Sequence, residues 1–186
     1  MFLEVLQDAV KSSSTPTLTT AQQALSDAFD ARFGDGGDGL DILGRLAASR
    51  ATRGANKTIL DRYLRKRDAN NWIHFTNIGN WGTRARDRAA ITGFIQYGNS
   101  IATAAEYQIF RDGTGKALSG SDARGYVLTF PKGGTPDASR FWSLTADTPN
   151  AIEPIPNRLS KYLVASYTPG LQTNDDGSTS IYISRR

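Results

Sequence analysis

The residues able to do chemistry are few. His74, in the stretch WIHF, is the single histidine of the 186-residue chain, and there is no cysteine. A histidine can act as a general base near neutral pH. A triad also needs a serine and a carboxylate held against it, and no G-x-S-x-G elbow is present; the Gly-Ser-Asp of ALSGSDARG lies in a turn cluster. Without thiols there are no disulfides, thiolate zinc sites or cysteine nucleophiles, and one imidazole cannot build a multi-histidine zinc centre. No metal and no cofactor is therefore expected. Carboxylate pairs are the remaining catalytic route. Asp147 and Glu153 flank TPNAIEPIPN, while Asp175 and Asp176 precede Gly177 as turn residues do. A hydrolase using these carboxylates or His74 is the alternative to a binding function.

Two further groups could hold a ligand. In NAIEPIPNRLSKYLVASY, Pro154 and Pro156 stiffen a loop that delivers Arg158 and Lys161 to a strand beginning near Tyr162. If that strand neighbours the one carrying Trp142, then Trp142, Arg158, Lys161 and Tyr162 offer aromatic faces and cations to a glycan or another small molecule. The other group is basic. Between Arg45 and Arg88 eleven Lys and Arg face three Asp (Asp61, Asp68 and Asp87), with Trp72, Phe75 and Trp81 among them. Phosphate charge and base stacking are what such a surface would serve, which makes nucleic-acid binding through 45–88 a third reading; a solvated helix face beside core aromatics is the plainer one.

The elements that must position these residues fall into two halves. Phe2, Leu3, Leu6 and Val10 have helical spacing, SSSTPT reads as a linker, and Thr19 with Gln22, or Thr20 with Gln23, offers a capping box to a helix carrying Leu25, Phe29 and Phe33. The glycines of FGDGGDG end that helix. A helix precedes this cluster and two carboxylates sit inside it, so it lacks the context of a phosphate loop; Asp35, Asp38 and Asp41 lack the ligand spacing of an EF-hand. Helical patterns follow at 40–50, 57–67 and 83–97, the last stopped by Gly98 and Asn99. Beyond residue 105 the period becomes 2. Strands are expected at 106–111, 126–130, 141–146, 161–168 and 179–184, joined without helices and so mainly antiparallel. No apolar run approaches the roughly 18 residues of a membrane span, and MFLEVLQDAVK does not have the pattern of a signal peptide.

Four segments in order, IGNWGTRARDRAAITGFIQYGN, FRDGTGKALSG, YVLTFPKGGTPDASRFWSLTA and NDDGSTSIYI, resemble domain of unknown function 1214. That family forms the C-terminal domain of bacterial two-domain proteins whose N-terminal part is domain of unknown function 1254. The resemblance implies a jelly-roll-like β-sandwich with helices at one side and an envelope or secreted setting, and it carries no catalytic residue. The family continues past its DGS-x-x-I-Y-I strand into Asn-Trp and Pro-Gly-Phe features and a closing strand pair. The expectation is thus a sandwich lacking its last strands, whose open edge an oligomer or a missing domain would complete.

The pattern predicts an α+β chain, a helical region over 1–70 and then a helix and a mainly antiparallel sheet over 71–186; the resemblance implies that this sheet is a jelly-roll-like sandwich, and the expected role is binding or scaffolding.

Overall fold

In the computed structural model, residues 17–33, 39–95, 97–121, 124–148 and 153–184 are described, together with Asp8, Lys11 and Ser12. Most of the helix expected over 2–10 and the glycine cluster with Asp35 and Asp38 lie outside the described residues. The chain is α+β and divides into two compact units, residues 1–108 and 109–186.

The first unit carries three helices, α1 (Thr20–Phe33), α2 (Ile42–Leu64) and α3 (Ala85–Phe94), and the short strand β1 (Trp72–His74). The capping box forms at Thr19: its N–H donates to Gln22 Oε1 at 2.9 Å and Gln22 N–H returns a bond to its hydroxyl at 3.3 Å. Where two helical patterns were expected at 40–50 and 57–67, a single 23-residue helix runs through. Gly54 lowers propensity there, but extending an existing helix costs less than nucleating another. Local bonds support the junction: Thr58 Oγ1 donates to the Gly54 carbonyl, and Lys57 pairs with Asp61 at 2.7 Å, one turn on. At its start the Asp41 side chain accepts the Gly44 N–H at 2.7 Å.

The core of this unit is Tyr63, Ile73, Phe75, Ile78, Ala90 and Ile91, with Ile59, Leu64, Trp81, Phe94 and Ile95 packed against it. Tyr63 stacks between Phe94 and Phe75, at ring separations of 4.5 and 5.8 Å. Gly98 approaches Ile78 and Ile91 so closely that an added Cβ would lie 2.8 Å from both side chains. The NNWIHFTNIGNWGT stretch contributes β1, which pairs with β2 (Tyr107–Ile109). Asp68 sets up its entry by accepting the N–H groups of Asn70 and Trp72.

The second unit holds β3 (Tyr126–Phe130), β4 (Ser143–Thr145), β5 (Leu163–Ala165) and β6 (Thr179–Ile183). β3 pairs antiparallel with β6 from Tyr126↔Ile183 to Phe130↔Thr179, and β4 pairs antiparallel with β5 through Leu144↔Val164. The alternation expected of YVLTF holds: Tyr126, Leu128 and Phe130 turn inward, opposite Ile183, Ile181 and Thr179, while Val127 and Tyr182 are exposed. PKGGTPD begins as a tight turn, with the Gly134 N–H bonded to the Pro131 carbonyl at 2.8 Å and Gly133 at φ +69°. Among the described residues the strands form three two-stranded ladders, β1–β2, β3–β6 and β4–β5. No described helix is long and apolar enough to cross a membrane.

Candidate functional site

His74 sits on β1, half-buried. Its Nδ1 lies 3.0 Å from the Glu106 carbonyl oxygen, and its ring stacks on Tyr107 at 4.1 Å. A carbonyl only accepts, so Nδ1–H is the donor in this contact. The imidazole thus ties β1 to the approach of β2 through a backbone carbonyl and a phenol ring.

Asp87 is the buried ionic centre of the first unit. It lies in the first turn of α3, 1% exposed, where Arg62 Nε donates to Oδ1, Asn77 Nδ2 donates to Oδ2 at 3.0 Å, and Lys66 Nζ lies 3.9 Å away. The Arg62 bond holds its carboxyl below the usual carboxylate range against the opposing effect of burial. Lys66 also lies over the Phe75 ring at 5.2 Å. Part of the basic segment therefore serves the packing of α2 on α3. Sequence patterning read Asp87 only as one of three acids among many bases; its pairing with Arg62, 25 positions earlier, has no local signature.

The carboxylates of the second unit are placed by turns. An isolated bridge joins Asp147 to Pro154, the Thr148 N–H donates to the Glu153 carbonyl at 2.8 Å, and both acidic residues are exposed. Asp176 caps its own turn by accepting the Ser178 N–H and hydroxyl at 2.9 and 2.6 Å, which lowers its pKa.

Trp142, Arg158, Lys161 and Tyr162 all belong to the β4–β5 neighbourhood. Trp142 is half-buried against Phe130, 5.4 Å away, and its carbonyl accepts the Ser166 N–H at 3.0 Å. Asn157 clasps the turn that follows, its Oδ1 taking the Leu159 and Lys161 N–H groups and its Nδ2 reaching the Lys161 carbonyl. β4 and β5 are neighbours, as such a site requires. Their register, running from Ser143↔Ala165 to Thr145↔Leu163, sets Trp142 and Tyr162 at opposite ends of the ladder, with Arg158 and Lys161 on the Tyr162 side. At the Trp142 end lie two aromatics not singled out from sequence. Phe141 (53% exposed) meets Tyr167 (65% exposed) edge-on at 5.7 Å.

Comparison with known proteins bears on the second unit. Residues 103–186 match the model of a family described as "Protein of unknown function (DUF1214)". The match takes in FRDGTGKALSG, YVLTFPKGGTPDASRFWSLTA and NDDGSTSIYI; IGNWGTRARDRAAITGFIQYGN lies before it. No curated protein matches the sequence. Among solved structures, the VPA0106 protein from Vibrio parahaemolyticus has a similar fold, with a TM-score of 0.50, 20% sequence identity and coverage of 100% of this chain. The chain spans 39% of that protein's length.

Proposed function

We propose that the chain is a binding or scaffolding module of the uncharacterised family matched over 103–186, and that its ligand surface is the β4–β5 ladder with the aromatic rings at its two ends. The observation that carries this reading is the exposure of large aromatic rings around one short ladder: Phe141 and Tyr167 at one end, Tyr162 at the other. Exposed rings grouped in this way cost solvation free energy in the free protein and mark contact surfaces. Cations beside aromatics favour sugars and anionic groups, and Arg158 and Lys161 supply them at the Tyr162 end. Because Trp142 and Tyr162 stand at opposite ends of the ladder, an extended glycan fits the arrangement better than a compact solute.

In this proposal the ladders of the second unit belong to a jelly-roll-like sandwich completed by further strands, from a longer chain carrying a domain of unknown function 1254 or from a second copy. Ladders of two strands each among the described residues and a structural neighbour of more than twice the length support it. The test is an oligosaccharide panel against the intact chain, followed by Tyr162→Ala and Phe141→Ala. Saturable binding weakened by both substitutions, with unchanged melting temperature, is the expected result. Binding that neither substitution alters would remove the ladder from consideration.

A further inference from the structure

We propose that the first unit contains a binding site for a phosphate-bearing group, in the cleft at the start of α3. The proposal is independent of the glycan surface, since every residue it uses lies within the first unit. The cleft has a volume of about 370 Å³ and is lined by Arg62, Thr83, Arg84, Ala85, Arg86 and Asp87. Its one carboxylate is already engaged: Asp87 is buried and bonded to Arg62 and Asn77. Arg84 and Arg86 are exposed, and their guanidinium groups have neither an ion pair nor a hydrogen bond among the described residues. Arg88 stands exposed in the same turn, and Lys66 lies 3.9 Å from Asp87. The cleft lining therefore carries three guanidinium groups against one carboxylate, an excess that favours an anion.

The chemistry of the lining specifies the kind of anion. Guanidinium forks donate in parallel pairs to tetrahedral or planar oxyanions, and they bind phosphate as well as carboxylate. A phosphate monoester brings more negative charge and more acceptor oxygens than a carboxylate does, so it meets the local excess better. The backbone adds a second preference. Arg84 is the N-cap of α3, and it makes no side-chain cap bond; a guanidinium has no acceptor atom with which to make one. The Arg86 N–H in that first turn has no acceptor among the described residues. An oxyanion seated against it would take the place of the missing cap, with the helix dipole in its favour. Thr83 also lines the cleft, and a threonine hydroxyl can donate to an oxyanion.

Two sources share this chemistry, a small phosphorylated molecule and the backbone of a nucleic acid. The test is an NMR titration of the labelled full chain with inorganic phosphate, then pyrophosphate, then a single-stranded oligonucleotide, in wild type and in the double variant Arg84→Gln, Arg86→Gln. The expected result is saturable shifts over 83–88, with pyrophosphate affinity reduced roughly tenfold or more in the double variant. Both side chains are exposed, so an unchanged melting temperature shows that the variant still folds. If the oligonucleotide binds more tightly than pyrophosphate and weakens steeply with salt, the phosphate belongs to a nucleic acid; if it binds no better, the ligand is a small phosphate ester. Either pattern supports the site. Absence of saturable shifts with phosphate and pyrophosphate at tens of millimolar, or shifts that persist unchanged in the double variant, would overturn it.

Discussion

The Nε of Arg62 donates to the buried carboxylate of Asp87, so the last turns of α2 and the first turn of α3 are joined by one charge-assisted bond. Only Asp87 is buried in this pair and Arg62 is 38% exposed, so removing the carboxylate leaves the buried Asn77 amide and a partly solvated guanidinium without their acceptor, which costs about 2 kcal/mol. Asp87→Ala is expected to lower the stability of the first unit by about that amount, read from denaturant unfolding followed by near-ultraviolet circular dichroism.

The same bond predicts a dependence on pH. The folded state holds the Asp87 carboxyl below its ordinary range, so the unfolded chain binds that proton more readily. The stabilisation is complete above about pH 4 and drains away as pH falls through the folded value. Melting temperatures measured from pH 6 down to pH 2 should fall less steeply for Asp87→Asn than for the wild type.

Tyr63 gives the opposite sign. Burial, helped by the negative charge of Glu106, pushes its phenol up to about 12. An unfolded tyrosine ionises near 10, so the contribution of Tyr63 persists below that pH and is lost as pH rises toward 12. An ultraviolet titration should show one of the seven tyrosines ionising near 12. Tyr63→Phe should abolish that step while keeping the stack on Phe94 and Phe75. Losing the hydroxyl's bond to Gln108 should cost about 1 kcal/mol.

In the second unit the sensitive position is Gly125, at φ +69° immediately before β3. A Cβ there would run into the Ile183 carbonyl oxygen and lie 3.0 Å from Ser184 Cβ. Gly125→Ala should therefore destabilise the β3–β6 ladder by about 2 kcal/mol. Gly113→Ala, where an added Cβ meets nothing within 4 Å, is the matched control and should be close to neutral.

How much of this was legible depends on range. The Thr19–Gln22 capping box and β3 over 126–130 follow from neighbours a few positions apart, and the structure has them where the pattern put them. β1 escaped because three residues are too short for alternation to emerge, and because an Asp68 side-chain turn starts it. The single helix α2 escaped because RATRGAN has no apolar stripe, yet propagation carries the helix through. The loss is larger for sites. Phe141 and Tyr167 become a pair only through the β4–β5 register, and Asp87 becomes a buried acid only once α3 lies on α2. Arg84 and Arg86 did fall within the basic segment flagged from composition; what composition lacked was the cleft and the missing cap.

One feature of α2 has mechanical meaning. Its buried residue, Tyr63, is in its last turn, whereas Ile42 at its first turn is 78% exposed, with Leu43 and Leu46 close behind. A rod clamped at one end bends and frays most at the other, so amide exchange along this one helix should be graded, fastest beside Ile42 and slowest near Tyr63.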